Sequence, residues 1–167
     1  FPATVADASS MLTGIYSSLN AAISNVQHSH FYMAELASDD RFGGGGENDR
    51  DMQGLDHLMN TQPDRFLTFW TARYQGIFRA NSALETLDQV TSWTNDAQKN
   101  QILGEVHFLR ALYYFELSQL FGELPLVIST DVSNWPKAPA DETYALIAED
   151  LQKAISLMPA DPYTSVA

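Results

Sequence analysis

Residues 109–127 read LRALYYFELSQLFGELPLV. Apolar and aromatic residues recur here at intervals of three and four, the period of an α-helix. Gly122 follows, and glycine takes the left-handed conformation that closes a helix without a Cβ penalty. Pro125 then turns the chain outward, since proline cannot continue a helix. Working back from this stop, Asn95 is a good N-cap, and Gln98 three positions on makes a capping-box-like start. The spacing predicts a helix over 96–121 whose stripe is Ile102, Val106, Leu109, Tyr113, Leu117 and Leu120. Phe108, Leu112, Phe115 and Phe121 widen that stripe around most of the circumference, which predicts burial among several neighbours.

The same period appears on both sides. Val5, Ala8, Leu12, Ile15, Leu19 and Ala22 predict a first helix over 5–26, with Gly14 placed for close approach of another helix. Residues 31–36 form a short apolar piece. The stretch SDDRFGGGGENDRD, 38–51, reads as a long surface loop, because four glycines among acidic residues cannot hold a regular element. A second helix is expected over 66–90, carrying Trp70 and Tyr74 in its core stripe. Residues 124–140 form a loop holding Trp135, Pro136 and Pro139. A fourth helix starts near Asp141 and ends at Pro159. No segment has sustained strand alternation. The expected fold is all-α: irregular tetratricopeptide-like antiparallel helix pairs with long loops. Ala111 and Phe115 match part of the repeat signature, but the lengths do not keep a strict period.

Composition narrows the function. A formal net charge of −12 argues against nucleic acid and against anionic membrane surfaces. Cysteine is absent, which excludes disulfides, thiol chemistry and Cys-based metal sites within these residues. His28 and His30 lack zinc spacing, and GGGG at 43–46 lacks the Lys-Ser/Thr of a phosphate loop, so it reads as flexibility. No cofactor is implied. The chain starts at Phe1 rather than Met, from which trimming of a longer precursor is expected. The fourth helix has no sequence-adjacent partner, so Ile147, Leu151 or Ile155 should be uncovered.

The 109–127 stretch closely resembles the SusD/RagB family of glycan-binding outer-membrane lipoproteins. Four more segments agree in order: DASSMLTGIYSSL (7–19), ELASDD (35–40), FWTARYQGIFRANSALETL (69–87) and DETYALIAEDLQKAISLMP (141–159). The resemblance implies a non-catalytic helical scaffold, here 1–167 as the N-terminal part with the C-terminal part absent. It implies a lipid anchor on an N-terminal Cys that this chain lacks. It further implies partnership with a SusC-like TonB-dependent transporter at the cell surface, where the pair captures and imports oligosaccharides.

Glycan recognition needs flat aromatic faces and planar polar groups. Trp135, in a Pro-bounded loop, is the first candidate. Phe42 follows as a platform, with Asp39, Asp40, Arg41 and Asn48 beside it, and then Trp93 in the turn between helices two and three, where a structural plug is the competing reading. Calcium on the 38–51 loop is a further reading, although EF-hand spacing is not met. Asn81 and Arg110 interrupt apolar helices. Buried polar groups need partners, so both are expected to bond across helix interfaces or to loop backbone. Two alternatives stand beside glycan binding: a helical-repeat scaffold that binds a protein or peptide, and a glycoside hydrolase, which needs paired carboxyl groups.

Overall fold

The structure is a computed structural model that describes residues 2–20, 33–38, 40–58 and 63–158. Asp39, His28, His30, residues 21–26 of the expected first helix, residues 31 and 32, and Pro159 lie outside the described residues. The elements are α1 (Val5–Asn20), a 3-10 turn at Glu47–Asp49, α2 (Arg50–Asp56) and α3 (Pro63–Thr86). A second 3-10 turn (Leu87–Gln89), α4 (Asp96–Phe121), β1 (Leu124–Pro125), β2 (Lys137–Ala138) and α5 (Ala140–Leu157) follow. The chain divides into two compact units, Phe1–Ser18 with Arg73–Ala167 and Leu19–Ala72. The all-α expectation holds.

In the first unit, α1 opens on a capping box. The Thr4 hydroxyl oxygen accepts from the Asp7 N–H at 3.2 Å, and the Asp7 carboxylate accepts from the Thr4 N–H at 2.8 Å. The Thr4 hydroxyl and the Ala3 and Thr4 amides hold the Asp7 carboxyl below the usual range. The last turns of α1 are tied by polar groups of α3 and α4. Arg79 donates to the Gly14 carbonyl at 2.8 Å, buried Arg73 donates to the Ser18 carbonyl at 3.0 Å, and the Tyr113 hydroxyl donates to the Ile15 carbonyl at 2.6 Å. Arg73 also pairs with Glu116 and sits 5.6 Å over the Tyr113 ring.

Two glycines explain how closely these helices approach. A Cβ on Gly76 would lie 2.5 Å from the Tyr113 ring, and one on Gly104 would lie 2.5 Å from the Met158 side chain. Gly14, expected to serve close approach, instead faces open space. Its carbonyl, rather than its missing side chain, is what the fold uses.

The α4 helix starts and stops as its sequence predicts. The Asn95 side chain accepts from the Gln98 N–H at 2.8 Å, and Gln98 accepts in turn from the Thr94 N–H at 3.1 Å. Gly122 sits at φ 70° and its N–H bonds the Ser118 carbonyl at 3.0 Å. Ile102, Val106, Leu109, Tyr113 and Leu117 are buried. Phe108 and Phe115 are exposed, contrary to the expectation of burial around most of the helix. Helix α5 runs antiparallel to α4, since Arg110 meets Asp150 while Gly104 meets Met158. Its buried row is Thr143, Ile147, Asp150 and Ala154. Tyr144, Ala148, Leu151 and Ile155 are each one residue further on, hence about 100° around the helix. All four are exposed, Ile155 by 76%. Of the three residues expected to lie uncovered, Leu151 and Ile155 do and Ile147 does not.

The second unit buries Met33, Leu36, Leu55, Phe69 and Ala72. Residues 33–36 are helical.

Candidate functional site

Three polar side chains on one stripe of α3, at 74, 81 and 85, hold the segment that leaves α4. The Tyr74 hydroxyl donates to the Pro125 carbonyl at 2.8 Å. Asn81 Nδ2 donates to the Val127 and Ser129 carbonyls at 2.8 and 3.2 Å. The Glu85 carboxylate accepts from the Thr130 N–H and hydroxyl at 2.8 and 2.6 Å. From α4, the Tyr114 hydroxyl donates to the Val127 carbonyl at 2.9 Å, and its ring meets Tyr74 edge-on at 6.4 Å. Burial pushes both phenol groups up.

Behind this stripe lies a buried ionic cluster. Arg110 grips Asp150 through two bonds, Nε to Oδ2 at 2.7 Å and Nη2 to Oδ1 at 2.8 Å, and donates from Nη1 to Asn81 Oδ1 at 2.8 Å. His107 Nδ1 lies 2.7 Å from Asp150 Oδ1. A carboxylate can only accept, so that ring nitrogen carries the proton in this contact. Burial raises the Asp150 pKa, but the bonds from His107 and Arg110 outweigh it and hold the carboxyl below the usual range. Asn81 and Arg110 thus do what buried polar residues in apolar helices are expected to do. Trp70 and Tyr74, expected in the core, are only half-buried.

The pinned segment leads to Trp135, which is half-buried, while Val132, Ser133 and Asn134 before it are exposed. Pairing of β1 with β2, Leu124 with Ala138 and Pro125 with Lys137, closes the base of this loop. Trp93 is half-buried in the turn before α4, and its indole N–H is buried without a partner among the described residues.

The glycine-rich loop of the second unit is held by side-chain hydrogen bonds, which composition alone does not show. The sequence also hid regular structure here, because the 3-10 turn and α2 begin inside the expected loop. Asp49, Gln53 and Asp56 share one helical face and hold it. Asp49 accepts from the Gly46 N–H at 2.9 Å, Gln53 donates to the Gly44 and Gly46 carbonyls at 3.0 and 3.3 Å, and Asp56 accepts from the Gly43 N–H at 3.0 Å. Gly44 needs its freedom, with φ 87°. A Cβ on Gly43 would lie 2.6 Å from the Met52 carbonyl oxygen. On this frame Phe42 stands 77% exposed. Asp40 and Asn48 are exposed near it in sequence, and Arg41 pairs with Glu35 at 2.9 Å. The structure therefore presents an exposed aromatic face at Phe42, beside hydrogen-bonded glycines and polar residues near it in sequence, and a half-buried one at Trp135. Sequence reasoning missed the holding residues, although Asp49, Gln53 and Asp56 recur at helical spacing. It also missed Phe78, which is 51% exposed on the α3 stripe between Tyr74 and Asn81. Among the described residues, no group of three or more His, Cys, Asp or Glu is arranged to hold a metal ion.

Comparison with known proteins bears on this architecture. Residues 2–167 match the SusD-like family described as "Starch-binding associating with outer membrane". The chain belongs to the SusD-like family. Among curated relatives, SusD-like protein P38 of Formosa agariphila is 31% identical over 90 residues, 51% of this chain and 17% of the relative. Among solved structures, a laminarin-binding SusD-like protein superposes with a TM-score of 0.79 at 28% identity. That match covers 94% of this chain and 35% of the other. Surface glycan-binding protein A from Bacteroides fluxus gives 0.76 at 26% identity, covering 92% and 33%. This SusD-like chain therefore spans about a third of the length of those solved chains. No helix among its described residues is long and apolar enough to cross a membrane.

Proposed function

We propose that this SusD-like chain belongs to a non-catalytic, surface-exposed glycan-binding subunit. The subunit captures oligosaccharides for import through a SusC-like TonB-dependent transporter and is lipid-anchored at the outer membrane through an N-terminal Cys that this chain lacks. The observation that carries this reading is the family match over residues 2–167. A solved relative named for laminarin binding supports the glycan part. We assign ligand contact to Phe42, Asp40, Arg41 and Asn48 of the 38–51 segment and to Trp135, with Asp39 kept in the set on its sequence position alone. Trp93 is the weakest member of the set, because it sits in the turn before α4 with its indole N–H buried.

The exposed row Tyr144, Leu151 and Ile155 on α5 supports reading residues 1–167 as the N-terminal helical part of a longer protein. It also supports the second reading, a helical scaffold for a protein or peptide partner. Two assays on the full-length protein separate them. Retention on a broad glycan array and co-purification with a TonB-dependent transporter are expected. Failure of both, with a peptide captured on the α5 face, would replace the first reading by the second.

A further inference from the structure

Where the cations of this chain go has a consequence for which glycan it takes. The sequence has nine Lys and Arg against twenty-one Asp and Glu. Most of the cations are already engaged. Arg41 pairs with Glu35, Arg73 with Glu116, Lys99 with Asp88, Arg110 with Asp150 and Lys153 with Glu149. Arg79 is spent on the carbonyl and hydroxyl oxygens at the end of α1. Arg50, at the start of α2 on the Phe42 loop, and Lys137 are the exposed cations outside these contacts among the described side chains. Exposed acids are more numerous: Asp40 and Glu47 on the Phe42 loop, and Asp96, Glu123, Asp131, Asp141 and Glu142 elsewhere.

We infer that the Phe42 surface takes uncharged glycans and turns away polyanionic ones such as sulfated or uronate polymers. The inference rests on the glycan-binding reading above and adds the substrate class to it. Stacking of a sugar ring on Phe42 uses C–H groups against an aromatic face and needs no ligand charge. An anionic polymer at Phe42 meets the exposed carboxylates Asp40 and Glu47 of the same loop, against Arg50 as the uncommitted cation among the described side chains there, in a chain at −12. Rejection of the wrong ligand by unpaired charge is an ordinary source of specificity. Because the repulsion acts between exposed groups, added salt screens it.

The test is affinity electrophoresis and calorimetry of the full-length protein against two panels. One holds laminarin, starch, xylan and galactomannan, and the other alginate, polygalacturonate, carrageenan and heparin. The expected result is retention by at least one neutral polymer, at least tenfold stronger than by any anionic one at low salt and little changed by salt. Phe42→Ala should weaken the neutral hit at least tenfold, and Phe42→Trp should keep it. Glu47→Lys should narrow the gap between the panels several-fold without altering neutral binding. Stronger retention by an anionic polymer, relieved by salt, overturns the inference. Full retention by Phe42→Ala overturns the placement at Phe42. No retention by either panel overturns the glycan reading itself, and this inference with it.

Discussion

Two hydrogen-bonded frames in this molecule use the same chemical parts in different surroundings. One is the cluster of Arg110, Asp150, Asn81 and His107, where Asp150 is fully buried. The other is the loop at 43–56, where Asp49, Gln53 and Asp56 bind backbone groups of glycines near the surface. In both, a carboxylate only accepts and an amide side chain holds carbonyls. Burial sets how much each contact matters. An unpaired charge in the interior loses its solvation, while water replaces a lost partner at the surface. The buried frame therefore fixes the scaffold, and the half-buried frame orders the loop that carries Phe42 at lower cost to stability.

The sharpest way to break this contrast is at Asp150. Removing it leaves the Arg110 charge buried and should cost about 3–5 kcal/mol in chemical denaturation. The same pair should make stability acid-sensitive. Asp150 is depressed in the folded state, so its contribution is present above the unfolded-state value near ~3.9 and is lost as pH falls through the lower folded-state value. Asp150→Asn should flatten that acid limb of the stability curve, and an unchanged limb would place the effect elsewhere.

Gly76→Ala comes next, at about 1–3 kcal/mol, because its Cβ would press on the ring of Tyr113, which is held by its bond to Ile15. Asp56→Ala should cost about 1 kcal/mol by removing the acceptor of the Gly43 N–H. Its more telling readout is weaker glycan retention, since the frame under Phe42 loosens. Gly14→Ala should raise stability by about 0.5–1 kcal/mol, as a helical glycine facing open space has only its entropy to lose. At the bottom of the scale, Arg41→Ala breaks an exposed pair and should cost about 0.2–1 kcal/mol. A loss of several kcal/mol there would show that exposure does not set the weight of polar contacts in this chain.

Much of this was legible in the sequence because the signals are local. The period of 96–121, the Asn95 cap and the Gly122 stop each act within a turn of chain, and the fold keeps all three. The partners of Asn81 and Arg110 were legible as a need for partners, since polar groups in an apolar stripe cannot stay unpaired. Phe108 and Phe115 were not legible as exposed, because an apolar residue is compatible with either side of a helix until its neighbours are placed. The bonds that hold the glycine run were not legible either. Glycine permits flexibility but also permits the positive φ of Gly44 and the close backbone approach of Gly43.

The sequence by itself determined the helical class, the start and stop of α4, the acidic balance and the family. Each depends on residue order and composition alone. Which carbonyls Asn81 holds, which cations are spent on internal partners, and that Phe42 stands exposed beside hydrogen-bonded glycines were decided only by tertiary structure. Those facts depend on groups tens of residues apart meeting within hydrogen-bond distance, and burial then sets their energetic weight.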